Sequence, residues 1–295
     1  MQPGPAILVF DSGLGGLTVL REVVAARPDA GYVYAADDAF FPYGRHGEAA
    51  LTARLVPLMG ELIAAHRPDL VVIACNTAST LVLPHLRATY TVPFVGTVPA
   101  IKPACASSKS KLVSVLGTEA TVKREYTRAL IRDFGQGCAV TLVGSAHLAG
   151  IAEDALRDQP VDPAAIAREI APCFVTDGDR RTDTVALACT HYPLLREQLE
   201  AASPWPVAWI DPAPAIARRV VDLLDHAGVP AGDDGGEPRR GARRSDRIVF
   251  TSGRAPAPAL VAVLARFGLR LPEAKRRPAG SGRTDAVAHG ATDGF

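Results

Sequence analysis

The chain has 295 residues, of which 48% are apolar and 21% charged, and its formal net charge is +1. This length and composition are typical of a soluble globular protein with about two domains. A near-neutral charge argues against a nucleic-acid or membrane-surface partner. The sequence carries neither a secretory signal nor an apolar run of the roughly 18 residues that a membrane-spanning helix needs. We therefore expect a cytoplasmic protein.

Five cysteines are present, without a C-x-x-C pair and without a Cys/His cluster at zinc-finger spacing. The sequence therefore predicts no metal site. Because there is no secretory signal, the cysteines should be reduced thiols. For Cys105, Cys138 and Cys173 we expect the ordinary role of a small buried or surface residue.

Apolar strands alternate with helix-period segments along the chain, a pattern that predicts parallel sheets covered by helices. In the first series, strands are predicted at 6–10, 32–36, 70–75 and 94–96, and helices from 17 to about 27, at 48–66 with an interruption at Pro57, and at 78–87. In the second series, strands are predicted at 111–116, 140–143, 184–189 and 207–210, and helices at 119–134, 164–175, 194–201 and 213–226. The two series resemble each other and indicate two similar α/β units.

The last part of the chain differs in composition. The segment 228–247 is rich in glycine, then acidic, then basic, with five arginines between 239 and 247. Because no aromatic residues interleave with these charges, a solvated loop is favoured over a nucleic-acid patch. A strand at 248–251 and a helix at 257–267 follow, and the composition of the tail predicts disorder.

Two cysteines lie in nearly the same local setting. Cys75 ends the apolar run Val71-Val72-Ile73-Ala74, and Cys189 ends the run Val185-Ala186-Leu187-Ala188. A helix-start signal follows each of them. The end of a buried strand is where α/β proteins place reactive groups. The pair therefore predicts two half-sites that face each other across one cleft.

A glycine-rich turn follows the first predicted strand, in Asp11-Ser12-Gly13-Leu14-Gly15-Gly16. A dinucleotide reading is disfavoured because G-x-G-x-x-G requires glycine where this chain has Thr18. The glycines fit another use, since backbone N–H groups at a helix N-terminus bind anions, a carboxylate as well as a phosphate. Asp11 is either a helix cap or a functional acid.

Further candidates are short hydrogen-bond donors. In the loop that ends with Pro42-Tyr43-Gly44, Tyr43 could offer its hydroxyl and Gly44 its backbone N–H to a bound carboxylate. The other donors at strand ends are Asn76, Thr77, Thr118, Thr121 and Thr190. Any one of them alone is more often a cap. Together they predict a small polar cleft suited to an amino acid.

The chemistry follows from the thiols. A reactive cysteine needs a base or a charged partner, because the thiolate is the reactive form. His191 lies two residues after Cys189, and Asp11 ends a strand that we expect beside that of Cys75. Two thiols on opposite faces of one carbon support racemisation, since one removes a proton and the other returns one to the opposite face. No lysine lies in a strand-end motif, so no pyridoxal cofactor is predicted.

At these motifs the sequence resembles the glutamate racemases of the cofactor-independent Asp/Glu racemase family, over roughly residues 6 to 267. The matching motifs are Phe10-Asp11-Ser12-Gly13-Leu14-Gly15-Gly16-Leu17-Thr18-Val19, Pro42-Tyr43-Gly44, Ala74-Cys75-Asn76-Thr77-Ala78-Ser79, Leu116-Gly117-Thr118 with Thr121, and Cys189-Thr190-His191-Tyr192-Pro193-Leu194-Leu195. Each motif alone is moderately specific, and together they are highly specific.

The resemblance implies an α/β fold of two pseudo-symmetric, doubly wound (flavodoxin-like) parallel-sheet domains with the active site between them. It places one domain at 1–98 plus 211–270 and the other at 99–210, which leaves a tail at 271–295. It also implies glutamate as substrate, D-glutamate for peptidoglycan as product, no cofactor, and a homodimer.

The resemblance also implies residue roles. Cys75 and Cys189 would be the proton donor and acceptor pair, assisted by Asp11 and His191, with Cys75 serving D-glutamate and Cys189 serving L-glutamate. The substrate would be bound by Asp11, Ser12, Pro42, Tyr43, Gly44, Asn76, Thr77, Thr118, Thr121, Thr190 and His191.

The sequence departs from the family pattern in four places. Ala188 replaces the usual glycine before the second cysteine, and the loop 37–41 is unusually aromatic. The stretch 144–150 lacks the usual apolar, proline-bearing character, although Glu153 keeps its acidic end, and the arginines at 239–247 are unusual. Three alternatives stay open: a two-cysteine racemase for aspartate or another substrate, a catalytically weak regulatory or protein-binding relative, and a one-cysteine hydrolase.

Overall fold

The computed structural model describes residues 4–228 and 247–270. The predicted tail at 271–295 and nearly all of the arginine-rich segment lie outside the described residues. No helix in the described ranges is long and apolar enough to cross a membrane.

The first part of the described chain alternates strands and helices as predicted. Its elements are β1 (Ala6–Asp11), α1 (Leu17–Ala26), β2 (Gly31–Ala36), α2 (Glu48–His66), β3 (Leu70–Ile73), α3 (Asn76–Leu81), α4 (Leu83–Thr89) and β4 (Phe94–Gly96).

The second series begins after Pro99. Its elements are α5 (Ile101–Ser107), β5 (Leu112–Thr118), α6 (Glu119–Val122), α7 (Glu125–Phe134), β6 (Ala139–Ser145), α8 (Leu148–Leu156), α9 (Pro163–Ile170), β7 (Thr176–Asp177), β8 (Arg180–Arg181), β9 (Thr184–Ala188), α10 (Arg196–Ala201) and β10 (Ala208–Ile210). The described chain ends with α11 (Ala213–His226), β11 (Arg247–Phe250) and α12 (Pro258–Arg266).

Two parallel sheets form the framework. The first has the strand order β11-β2-β1-β3-β4 and the second has the order β10-β9-β5-β6. Read from its other edge, the second sheet runs β6-β5-β9-β10, which matches β2-β1-β3-β4 strand for strand. The predicted pseudo-symmetric α/β fold is therefore confirmed. The predicted domain limits at 98/99 and 210/211 stay a prediction.

Both faces of the central strands of each sheet are buried. Along β1, Ile7 and Val9 pack into one apolar cluster, and Leu8 and Phe10 pack into another on the opposite face. Helices on both sides exclude water from the strands, so the strand sequences are continuously apolar rather than alternating. The polar residues that follow β1, β3, β5 and β9 are thereby concentrated at the carboxyl edges of the two sheets.

The prediction that Pro57 interrupts its helix is wrong, because α2 is continuous through this residue. A proline inside a helix removes one backbone hydrogen bond. Burial of one face of α2 against the first sheet offsets that loss. The buried residues of this face are Leu51, Leu55, Met59 and Leu62.

Two segments predicted as single helices are each divided in two. The segment 78–87 is broken at Val82, and the segment 119–134 is broken between α6 and α7. At the second break the Thr127 hydroxyl donates to the Thr121 carbonyl at 2.7 Å. Threonine hydroxyls compete with the backbone in this way, and helical periodicity alone does not reveal the competition.

Helices α5 and α8 are absent from the sequence prediction. In α8 the apolar residues Leu148, Ile151 and Ala152 have helical spacing, but the preceding polar stretch and Gly150 obscure the pattern. The omission matters because α8 carries two residues of the site described below.

The departure at Ala188 is accommodated by the opposite strand. Ala188 pairs with Gly117 in the register of β9 and β5, and the methyl group of Ala188 is fully buried. A β-carbon on Gly117 would lie only 3.2 Å from the β-carbon of Ala188. Glycine at 117 therefore leaves the space that the extra methyl group occupies.

Candidate active site

A pocket lies where the carboxyl edges of the two sheets meet. It encloses about 300 Å³ of space between atoms, including its open mouth. Both Cys75 and Cys189 line it. The other lining residues are Ser12, Phe41, Pro42, Tyr43, Gly44, Asn76, Thr77, Thr118, Ala149, Thr190 and His191.

Most of the residues predicted for the site therefore come together in this pocket. Two of them lie behind its wall, because the side chains of Asp11 and Thr121 are fully buried. Asp11 touches the wall through Ser12, and Thr121 touches it through Thr77 and Thr118.

Cys75 lies two residues after β3, at the N-cap of α3, and it is 5% exposed. Its sulfur lies 3.8 Å from the Ser12 hydroxyl, which in turn lies 3.4 Å from Oδ1 of Asp11. Burial raises the pKa of the Cys75 thiol well above its usual value, and the neighbouring Asp11 carboxylate raises it further. The raised pKa favours the protonated thiol of Cys75, which donates towards Ser12.

Asp11 ends β1 and turns back onto the glycine-rich turn. Its carboxylate accepts the backbone N–H groups of Ser12 at 2.7 Å and Gly16 at 2.6 Å. Burial raises the pKa of Asp11, while the charge on His191 and these two N–H groups oppose the rise. Asp11 is not the N-cap of α1, since that position is Gly16, and its carboxylate instead holds the glycine-rich turn beside Cys75 and His191.

Cys189 follows β9 and is 6% exposed. Its sulfur lies 3.9 Å from Nδ1 of His191, whose Nε2 lies 3.0 Å from the Glu153 carboxylate. Burial alone would lower the pKa of His191, but its hydrogen bonds to Cys189 and Glu153 raise it well above its usual value. The partners at both ring nitrogens, Cys189 and Glu153, thus raise the pKa of His191.

Glu153 comes from α8 and holds the other end of the His191 ring. Burial would raise the pKa of Glu153, but the hydrogen bond from His191 and the N–H of Leu14 at 2.5 Å lower it. Arg157, one turn along α8, pairs with its second oxygen at 2.8 Å. The result is a row of contacts from Cys189 through His191 to Glu153 and Arg157.

The glycines of the turn after β1 allow the side chains of His191 and Glu153 to lie close to its backbone. A β-carbon on Gly15 would overlap the His191 ring, and a β-carbon on Gly13 would overlap the Glu153 carboxylate. The predicted anion site at this turn thus binds carboxylates of the protein itself. These are Glu153, through Leu14, and Asp11, through Ser12 and Gly16.

The predicted donation from the Tyr43 hydroxyl to a substrate carboxylate is not the bond that this group makes. The hydroxyl donates to Oδ2 of Asp37 at 2.6 Å, and a phenol has only one proton to donate. Tyr43 lines the pocket through the rest of the residue, and Gly44 packs beside Thr118.

Asn76 carries the clearest unfilled hydrogen-bonding capacity. Its side chain is 2% exposed and lines the pocket, yet neither its amide nitrogen nor its oxygen has a partner among residues 4–228 and 247–270. A buried amide without a partner costs about 1–3 kcal/mol. A ligand that offers both an acceptor and a donor would remove that cost.

Three threonine hydroxyls join the two units on another side of the pocket. Thr77 lies 3.2 Å from Thr118 and 3.3 Å from Thr121, which are themselves 2.9 Å apart. Hydroxyls both donate and accept, so this cluster can exchange its internal bonds for bonds to a ligand.

Sequence reasoning missed three residues of the site. Phe41 lines the pocket with its ring centroid 5.5 Å from that of His191, and Ala149 lines it from α8. Glu153 was noted only as an acidic position. The helical spacing of α8 was the signal that could have placed Ala149 and Glu153 together.

The fold and site define an α/β protein with two thiols in one cleft between similar units, each thiol with its own polar partner. The chain belongs to the Asp/Glu/Hydantoin racemase family, whose model matches residues 10–220. A glutamate racemase of Brucella ovis is 53% identical over 271 residues, which are 92% of this chain and 95% of that protein.

Solved structures of glutamate racemases have a similar fold. The Escherichia coli glutamate racemase, in complex with L-glutamate and the activator UDP-MurNAc-ala, superposes with a TM-score of 0.80 at 38% identity, over 91% of this chain and 97% of that one. The Thermus thermophilus glutamate racemase, in complex with beta-chloro-D-alanine, gives a TM-score of 0.66 at 27% identity, over 92% and 98% of the two chains.

The two thiols should differ in reactivity. Their exposures of 5% and 6% are nearly equal, so access cannot separate them, but only Cys189 faces the His191 ring, whose pKa is raised. At pH 7 iodoacetamide should alkylate Cys189 about tenfold or more faster than Cys75, as followed by peptide mass spectrometry. His191→Asn should remove the difference.

The pH dependence has a defined sign. Because the pKa of His191 is raised above 6.5, we expect its charge to persist as the pH rises through 7. The ratio of the alkylation rates of Cys189 and Cys75 should fall only when the pH passes that raised pKa. Equal rates at pH 7, or faster alkylation of Cys75, would contradict this assignment.

Proposed function

We propose that this protein interconverts L-glutamate and D-glutamate by proton transfer between two cysteines, without a cofactor. The observation that carries the proposal is that Cys75 and Cys189 line one pocket from opposite units, each with a different polar partner. The kinship with the E. coli glutamate racemase, solved with L-glutamate, supports glutamate as the substrate.

In the L-to-D direction, Cys189 as thiolate removes the α-proton from one face of the substrate. Cys75 as thiol then delivers its proton to the opposite face, which leaves Cys189 protonated and Cys75 ionised. The D-to-L direction runs the same steps in reverse. One proton leaves the carbon and one arrives, so the reaction needs no oxidant, reductant or metal to balance. Each such transfer typically contributes about 10²–10⁴-fold to the rate.

His191 and Asp11 assist the two thiols differently. His191 balances the charge on Cys189, and Glu153 orients the imidazolium. On the other side, Ser12 lies between Cys75 and Asp11, so the hydroxyl can donate to Cys75 once that residue has given up its proton. The carbanion-like transition state is stabilised by these preorganised donors in a site with little water.

The substrate is held by groups already oriented towards the pocket. Asn76 binds through its unpartnered amide, with Thr77, Thr118 and Thr190 as hydroxyl donors. Thr121 supports Thr77 and Thr118 from behind the wall. On the opposite wall, the backbone around Pro42, Tyr43 and Gly44 faces the ligand. Many fixed donors in a small pocket match a ligand with two carboxylates.

The proposal predicts cofactor-free exchange of the α-proton. Pure, reduced protein incubated with L-glutamate in D₂O should yield D-glutamate that carries α-deuterium, as measured by chiral chromatography and mass spectrometry. Cys75→Ala and Cys189→Ala should each abolish racemisation, because either change removes one of the two proton carriers. Racemisation by either variant at the wild-type rate would exclude the two-cysteine mechanism.

The same assay separates the alternatives. Faster turnover of aspartate than of glutamate would identify a related racemase with another substrate. Binding of glutamate without any α-proton exchange would identify a regulatory or protein-binding relative. Hydrolysis that survives Cys189→Ala but not Cys75→Ala, or the reverse, would identify a one-cysteine hydrolase.

The wider role follows from the reaction. D-glutamate made by this protein would supply peptidoglycan synthesis in the cytoplasm. We propose that the domain limits lie at 98/99 and 210/211. We expect neither a nucleic-acid nor a membrane partner. We also propose a homodimer, which multi-angle light scattering should detect as twice the 31.0 kDa mass of one chain. A mass of one chain at micromolar concentration would contradict the dimer.

A further inference from the structure

A pair of acidic residues anchors the loop that forms one wall of the pocket. Asp37 and Asp38 come directly after β2, and the loop that follows them carries Phe41, Pro42, Tyr43 and Gly44. Three of these four residues are only half-buried. The position of this wall therefore depends on how firmly Asp37 and Asp38 are held.

Asp37 is a fully buried carboxylate with donors from three parts of the chain. Oδ1 accepts from Arg54 of α2 at 2.6 Å and from the Thr251 hydroxyl at 2.5 Å. Oδ2 accepts from the Tyr43 hydroxyl at 2.6 Å and from Nε of Arg54 at 3.2 Å. Burial would raise the pKa of Asp37, but these partners lower it, so the group stays ionised.

The Thr251 hydroxyl both donates one hydrogen bond and accepts another. Besides donating to Asp37, its oxygen accepts the backbone N–H of Ala39 at 3.3 Å, and its own N–H donates to the Ala36 carbonyl at 3.0 Å. The next residue, Ser252, binds Asp38 through its N–H at 2.9 Å and its hydroxyl at 2.5 Å. Two consecutive residues after β11 thus form hydrogen bonds to Asp37 and Asp38, where the loop begins.

We propose that Thr251 and Ser252 are positioning residues for the substrate-binding loop, acting through Asp37 and Asp38. This inference rests on the proposed function of the pocket. It assigns a role in substrate binding to the end of β11, more than 200 residues from the loop in sequence. Neither residue lines the pocket or contacts the thiols, so both act on the loop and not on the proton transfers.

The expected effect is on apparent affinity. Without the Thr251 hydroxyl, Asp37 keeps Arg54 and Tyr43 but loses the link to β11, and the loop occupies its binding position for a smaller fraction of the time. A ligand that binds only the competent state then has its dissociation constant raised in inverse proportion to that fraction. A hydrogen bond to a charged group corresponds to about 10- to 100-fold in such an equilibrium.

The test is steady-state racemisation of L- and D-glutamate by Thr251→Val, Thr251→Ser and Ser252→Ala. Thr251→Val keeps the shape but removes the hydroxyl, so KM should rise about tenfold for both enantiomers while kcat changes less than about threefold. Thr251→Ser should restore the wild-type KM. Ser252→Ala should give a smaller rise, because the backbone N–H still binds Asp38.

Ser114→Ala is the matched control for a stability effect alone. Its buried hydroxyl donates to the Cys173 carbonyl at 2.6 Å in the second sheet, away from the loop. It should lower Tm and leave KM unchanged. If the wild type racemises glutamate but Thr251→Val has the wild-type KM, or Thr251→Ser is as impaired as Thr251→Val, the positioning role is wrong. If the wild type itself shows no racemisation, the proposed function fails instead.

Discussion

The pocket depends on the contact between the glycine-rich turn after β1 and the Glu153–His191 pair of the other unit. This contact buries the Glu153 carboxylate beside the His191 ring, against the backbone N–H groups of Leu14 and Gly15. Glycine at positions 13 and 15 leaves room for both side chains. A buried charge is costly unless it is paired and hydrogen-bonded, and here each charge has both kinds of partner. The second unit is thereby fixed on the first at the place where its cysteine must face the pocket.

The pseudo-symmetry of the two sheets does not extend to the polar partners of the two cysteines. The strands that carry the two cysteines occupy equivalent positions in the two sheets, and both thiols are nearly inaccessible. Cys75 faces the Ser12 hydroxyl backed by Asp11, whereas Cys189 faces the His191 ring. The two thiols therefore have different polar partners, and this asymmetry is what the proposed transfer of a proton from one face of a carbon to the other needs.

Much of this arrangement could be predicted from the sequence, because strand-end cysteines, a glycine-rich turn and short donors are local signals. The partners of those groups could not. Tyr43 donates to Asp37, and Glu153 supports His191, through contacts between residues far apart in the chain. Helix α8 was missed because its apolar spacing is short and contains Gly150. Where the additional methyl group of Ala188 fits is visible only in the strand register, which pairs Ala188 with Gly117.

The most direct test of this account is the racemisation activity of Gly15→Ala, compared with that of Gly47→Ala. A methyl group at position 15 would overlap the His191 ring, whereas one at position 47 meets no atom within 4 Å. We expect Gly15→Ala to lose about 100-fold or more in kcat/KM while its circular dichroism matches that of Gly47→Ala, since small displacements at a reacting centre cost that much. Equal activity of the two variants would contradict the account.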